Sequence, residues 1–276
     1  MSVAGRLPFE RIALLMGMPR SGTSWLSQIV DSSPDVRFRL SPLFSWAFKN
    51  AASERSSRAE WEEVLRGAWE REDRFMSQTY QREAGRYPVF AVKQEAPRVL
   101  AIKDTRYHQI LERLLELFEC ARLVAIVRHP CGAVHSWLTT PKEFPDGADK
   151  SAEWRTGACR KTAPEEFWGF DDWKAVTRLH LDLARRHPRR VLVVRYEDLV
   201  GNAAMVGRRV LRFLDLAWTA QTGAFVAESQ SRHIEDTHAV FKDPSVMDRW
   251  RRELSPDIQE AIRGELEGSD LAEFLS

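Results

Sequence analysis

Two hydrophobic periods alternate along the chain. Residues 12–16, IALLM, form an unbroken apolar run of the kind a strand buried on both faces requires. Similar short runs occupy residues 99–102, 123–127 and 191–194, and residues 35–40 fit a further short strand. Between them the spacing changes. Trp25, Leu26, Ile29 and Val30 lie on one helical face, as do Trp61, Val64, Leu65, Ala68, Trp69 and Phe75 within the charge-rich stretch 55–85. Ile110, Leu114, Leu117 and Phe118 repeat the pattern over residues 106–119, and residues 131–138, 174–187, 203–214 and 219–229 read as further helices. Short apolar strands alternating with helices predict an α/β fold, a central parallel sheet with helices on both faces.

The first strand-to-helix junction carries the clearest chemistry. Gly17, Pro19, Ser21 and Gly22 interrupt the apolar run before the helix begins. A strand, a glycine loop and a helix start aim backbone N–H groups and the positive end of a helix dipole at an anion. The spacing Gly17-x4-Gly22-Thr23-Ser24 is nearly that of a nucleotide-binding P-loop, but Thr23 stands where the P-loop has lysine. A nucleoside triphosphatase needs that lysine on its β/γ-phosphates. The nearest cation is Arg20, inside the loop, whose planar fork suits two oxygens of a phosphate or sulfonate. The stretch therefore reads as a cradle for a nucleotide other than a metal-bound triphosphate; the plain alternative is an ordinary tight βα turn.

The stretch PRSGTSW resembles the phosphosulfate loop of sulfotransferases that use 3′-phosphoadenosine 5′-phosphosulfate (PAPS), and SSPDVRFRLSPLFSW is similar to the segment that follows it in the carbohydrate and bacterial branches. Arg128, at the end of the third apolar run, and Ser136, on the next helix, resemble the family's second signature, which holds the nucleotide's 3′-phosphate. An arginine fork and a small hydroxyl donor can converge on one phosphate. The resemblance implies a three-layer P-loop-like fold over a single domain, residues 1–276, with an acceptor-binding or lid insert at 139–173. It also implies PAPS as donor, no metal, and a hydroxyl acceptor, with the carbohydrate-branch similarity tilting toward a sugar or glycosylated metabolite.

By the same resemblance, Arg20 and Lys103 stabilise the moving sulfonate, and Ser21, Gly22, Thr23 and Ser24 bind the 5′-phosphate. Trp25 borders the adenine. Lys242 and Arg249, near Trp250, resemble a variant of the third nucleotide segment, although Asp243, Ser245 and Asp248 replace its usual glycines. RYEDL, residues 195–199, is a common companion motif and is expected to fix a strand-to-helix corner. One departure matters: many relatives carry a glutamate, proposed as the base, where this chain has Ser41 before Pro42. Serine does not do that work unaided at neutral pH. Asp104 and His108 are the nearest groups that could replace it, against readings as a helix cap and a surface histidine.

Residues 139–173 are rich in Pro, Gly and polar groups, with Trp154, Phe167, Trp168, Phe170 and Trp173 among Arg155, Arg160, Lys161, Glu165 and Asp171. They suit a sugar or phenolic acceptor, or equally a loop packed over its own aromatics. A small-molecule kinase and a non-catalytic nucleotide binder remain as alternatives.

The totals change little. Among 276 residues the net charge is +1, so no global field calls for nucleic acid or an anionic membrane. Hydrophobic residues make up 43%, enough for a substantial core. Cys120, Cys131 and Cys159 are odd in number without metal spacing, and His233 and His238 fall into no ligand pattern, so no metal is expected. With no apolar leader and no run long enough to span a membrane, the chain reads as a reduced, cytoplasmic, soluble protein of bacterial type.

Overall fold

The computed structural model describes residues 6–232, 234, 236, 239–241 and 247–276. Its centre is a parallel sheet of β1 (Arg11–Met16), β2 (Val36–Leu40), β3 (Val99–Asp104), β4 (Ala121–Val127) and β5 (Val191–Arg195) in the order β2-β3-β1-β4-β5. The chain builds outward on one side of β1 through β2 and β3, then crosses to β4 and β5. The build direction therefore reverses at β1, and the crevice at the carboxyl ends of the strands there is where open α/β sheets hold ligands. In register, Leu15 faces Lys103 on β3 and Val124 on β4.

The apolar runs are buried on both faces by alternation. Ile12, Leu14 and Met16 point into one core with Leu100, Ile102, Leu123 and Ala125. Helices α2 (Arg58–Glu70) and α4 (Leu111–Leu117) cover that face through Trp61, Val64, Leu65, Leu111 and Leu114. Ala13 and Leu15 point the other way, under α1 (Thr23–Asp31), α8 (Tyr196–Gly201), α9 (Ala203–Phe213) and α10 (Ala220–Ser231). A third cluster joins α5 (Pro130–Leu138), α6 (Lys150–Thr156), α7 (Gly169–Arg186), α11 (Trp250–Glu253) and α12 (Pro256–Leu266) beside the sheet. The short α3 (Thr79–Glu83) lies at the cleft described below. Among the described residues no helix is long and apolar enough to cross a membrane.

Local chemistry sets several boundaries. Ser57 and Glu60 form a reciprocal capping box that starts α2, and Asn202 caps α9 by accepting from Met205 N at 3.0 Å. Arg39 of the edge strand is buried and donates to the carbonyls of Ala68 (2.6 Å), Trp69 (3.2 Å) and Arg71 (3.2 Å). It closes the carboxyl end of α2, where helix carbonyls lack partners.

Three expectations shift. The strand expected over residues 99–102 runs on to Asp104, so Lys103 lies within its last two residues rather than just beyond its end. The following helix begins only at Leu111, after a 3-10 turn at His108–Ile110, because Tyr107 sits at φ 56°. The segment 139–173 holds α6 and the first residues of α7, and Trp154, Phe170 and Trp173 pack in the core beneath it. Trp61 and Trp69 of the 55–85 stretch are likewise buried.

Candidate active site

A cleft of about 870 Å³ opens at the carboxyl ends of β1 to β4, where open α/β sheets gather polar residues. One side is the loop before α1. Arg20 lies at φ 69° and Gly22 at φ 88°, both left-handed, which turns the chain sharply into the helix. Gly22 is required there twice over: a Cβ would also stand 2.4 Å from the Tyr196 ring. Gly17 is required by close approach, since a Cβ would meet the Ile126 carbonyl oxygen at 2.6 Å. The helix start has no side-chain cap, so the N–H groups of its first turn have no partner within the helix and sit at the cleft with Thr23, Ser24 and Trp25.

Arg20, Lys103, Arg128 and Arg249 are among the cations that border the same space. Arg20 donates from Nε to Ser136 Oγ at 3.2 Å and places Nη1 3.5 Å from a Glu143 oxygen. Arg128 donates from Nη1 to the Arg20 carbonyl oxygen at 3.1 Å and stacks 4.7 Å from the Tyr196 ring centre. Its buried Nε has no hydrogen-bond partner among the described residues. Burial pulls the Arg128 guanidinium below its ordinary pKa. Lys103 reaches the cleft from the end of β3, and Arg249 stands at its rim. Burial lowers the Lys103 ammonium to about 8, opposed by Asp104 and Glu143 and reinforced by Arg106 and Arg20. Burial of the Lys103 and Arg128 charges, with a guanidinium N–H lacking a partner, is a cost that a bound anion could offset.

Trp25 donates from Nε1 to Ser229 Oγ at 2.9 Å, and Ser24 bonds the buried Tyr87 hydroxyl. Phe44, Phe75, Tyr80 and Trp168 also line the cleft, with Arg106 3.9 Å over the Phe44 ring and Arg160 5.6 Å from the Trp168 ring centre. Trp168 is thus the one aromatic among those named in 139–173 that lines the cleft.

The structure brings together Arg20, Gly22, Thr23, Ser24, Trp25, Lys103, Arg128, Ser136 and Arg249. Three expected residues stand elsewhere. Ser21 is fully buried and does not line the cleft, and its N–H closes the loop onto the Met18 carbonyl at 3.2 Å. Asp104 is buried and accepts from the N–H groups of Thr105 (2.7 Å) and Arg106 (2.9 Å), so it caps the turn after β3. His108 is neither at the surface nor in the cleft. Its ring is buried against Phe167 (4.9 Å) and His180 (5.2 Å), neither ring nitrogen has a partner, and burial holds it neutral far below its ordinary pKa. Lys242, His233 and His238 lie outside the described residues.

Glu143 and the His135–Glu253 pair at 3.1 Å lie on the cleft without a sequence signal, and Tyr196 of RYEDL, expected only to fix a corner, lines it too. Tyr196 directly follows β5 and was open to the strand-end rule. Glu143 follows helix α5 in a turn with no periodic signal. The RYEDL motif does tie a corner, since Glu197 Oε1 accepts from His129 N at 2.9 Å, but its tyrosine also floors the cleft. Among the described residues, no group of three or more His, Cys, Asp or Glu is arranged to hold a metal ion.

Comparison with known proteins places this geometry. The model of the sulfotransferase family matches residues 13–220. A search of curated protein sequences finds no significant match. Among solved structures, the chain is similar to mouse sulfotransferase SULT7A1 complexed with PAP (TM-score 0.53, 16% identity, 96% of this chain and 88% of that one). It is similar to the sulfotransferase domain of the Synechococcus PCC 7002 olefin synthase (TM-score 0.53, 20% identity, 96% and 97%). A sulfotransferase from Alicyclobacillus acidocaldarius also aligns, with TM-score 0.52, 14% identity and coverage of 99% and 95%. At these identities the structures speak for a shared fold.

Proposed function

The chain belongs to the sulfotransferase family, and we propose that it transfers a sulfonate group from PAPS to a hydroxyl of a ring-bearing acceptor such as a carbohydrate or glycosylated metabolite. The observation that carries this reading is the convergence of Arg20, Lys103, Arg128 and Ser136 on one cleft at the α1 start. Two anionic groups need two cationic subsites. The first turn of α1 with Thr23 and Ser24 would hold the 5′-phosphate. Arg128, with its Nε lacking a partner, and Ser136 would take the 3′-phosphate, with Arg249 at the rim. Trp25 would border the adenine. The product nucleotide on this reading is adenosine 3′,5′-bisphosphate, in keeping with the PAP that accompanies SULT7A1.

Sulfuryl transfer resembles phosphoryl transfer: nucleophile and leaving group lie in line while charge spreads over the equatorial oxygens. Positioning and preorganised cations then supply most of the rate. Arg20 and Lys103 are placed to meet that charge. Thr23, in place of a P-loop lysine, leaves no ammonium at the loop for a triphosphate tail. The acceptor would rest on the wall of Phe44, Phe75, Tyr80 and Trp168, whose flat apolar faces among Arg160, Arg106 and Gln78 suit a ring edged with hydroxyls.

Calorimetric titration with adenosine 3′,5′-bisphosphate, and separately with ATP and Mg²⁺, tests the donor. Micromolar or tighter binding of the bisphosphate, with weak binding of ATP, is the expected result. Preference for Mg²⁺-ATP would overturn the reading in favour of a kinase.

A further inference from the structure

With Ser41 where relatives carry a glutamate, the acceptor hydroxyl needs another proton acceptor. Asp104 is committed to two backbone N–H groups, and His108 is sealed among Phe167 and His180. Resting on the sulfotransferase reading above, we propose that Glu143 is the general base that deprotonates the acceptor.

Glu143 lines the same cleft as the Arg20 loop and the aromatic side chains Phe44, Phe75, Tyr80 and Trp168. Its carboxylate lies 3.5 Å from Arg20 Nη1, and its charge also acts on Lys103, so it stands beside both cations assigned to the transferring sulfonate. Its side chain is one-fifth exposed, with Oε1 toward Arg20 and Oε2 the more deeply buried oxygen. The backbone is fixed. Glu143 N donates to the Thr140 carbonyl at 3.2 Å, and the buried Trp137 donates from Nε1 to the Glu143 carbonyl at 3.3 Å. Trp137 in turn packs 5.6 Å from Trp168, which ties the turn to the acceptor wall. Among the described residues two further carboxylates line the cleft, and each pairs away from Arg20: Glu253 with His135 at 3.1 Å, Asp236 with Arg86 at 2.8 Å.

The step balances. The acceptor O–H proton passes to a Glu143 carboxylate oxygen as the acceptor oxygen bonds to sulfur. The bond from sulfur to the bridging phosphate oxygen breaks, and its electron pair leaves on the 5′-phosphate of the bisphosphate. Arg20, 3.5 Å from the carboxylate, orients Glu143 during the transfer.

The experiment compares wild type with E143Q and E143A. It measures formation of adenosine 3′,5′-bisphosphate from PAPS, with water and with p-nitrophenol as acceptors. Water needs a base; p-nitrophenol is largely ionised at slightly alkaline pH and does not. E143Q should lose about 100-fold or more with water, within the range for removing a general base. With p-nitrophenol the loss should be at least about tenfold smaller, and added formate should restore E143A turnover with water. Equal losses with both acceptors, or no loss, or no rescue by formate, would overturn the assignment. If wild type neither binds the bisphosphate nor consumes PAPS, the sulfotransferase reading itself fails, whatever Glu143 does.

Discussion

Arg128 donates from Nη1 to the carbonyl oxygen of Arg20 at 3.1 Å, so the residue assigned to one phosphate also braces the loop assigned to the other. Arg20 is held at φ 69°, a left-handed conformation that a residue with a Cβ adopts at a cost of about 1–2 kcal/mol. Removing Arg128 should therefore weaken the nucleotide site by more than one contact. Arg128→Ala is expected to lower bisphosphate affinity about 100-fold, in line with loss of a charge-assisted hydrogen bond worth about 1.5–3 kcal/mol. Arg128→Lys should fall between, because an ammonium keeps the charge without the fork. Calorimetry reads both; affinity within about threefold of wild type for Arg128→Ala would show that the bridge is irrelevant to binding.

Gly22 couples backbone and side chain in the same way. Gly22→Ala would place a methyl in a left-handed residue and 2.4 Å from the Tyr196 ring. The strain and the displaced ring should lower stability by about 1–3 kcal/mol and weaken bisphosphate binding. Thermal melts and titration on the same preparation check this, and an unchanged protein would place the loop's rigidity elsewhere.

Lys103 sets a pH limit. Its ammonium, lowered to about 8 by burial, is the form that attracts an anion. A bound phosphate or sulfonate favours the protonated lysine, so bisphosphate affinity should be full below about pH 8 and decline as pH rises through that value. Lys103→Met should bind more weakly at neutral pH and lose the alkaline decline. Titrations across pH 7 to 9.5 would contradict this if the two proteins shared one slope.

The His108–His180 pair gives the fold an acid limit. His180 is fully buried and lowered to about 4, while His108 lies well below 6.5, both chiefly through burial. In the unfolded chain each binds a proton near 6.5, so below that pH the unfolded state holds more protons and stability falls. The His180 contribution is intact above about pH 6.5 and is lost progressively down to about 4, roughly 3 kcal/mol in full. Urea unfolding at pH 5 and pH 8 should show His180→Leu closing part of that gap. Parallel pH curves for variant and wild type would remove the pair from the account.

Much of this was legible in the sequence because the signals are local. An apolar run buried on both faces reads as a central strand wherever it occurs, and the loop from Gly17 to Gly22 carries its geometry in its glycines. Arg128 stands at a strand end, where sheet topology gathers ligand-binding groups. Asp104 and His108 were harder to judge, since both follow β3 closely, yet one residue's difference in direction sends Lys103 to the cleft and Asp104 into the turn. His108 entered the core because Tyr107 adopts a left-handed conformation and delays the helix, an event no periodicity announces.

By itself, then, the sequence determined the layers, the glycine loop before α1 and the cations at the strand ends, because hydrophobic period and glycine placement act over a few residues. Only the tertiary structure decided which groups share the cleft. Glu143 meets Arg20 across 123 positions of chain, and Tyr196 reaches Gly22 from the end of the edge strand β5. Such meetings depend on how helices seat on a twisted sheet, which follows from the packing of the whole core rather than from any stretch within it.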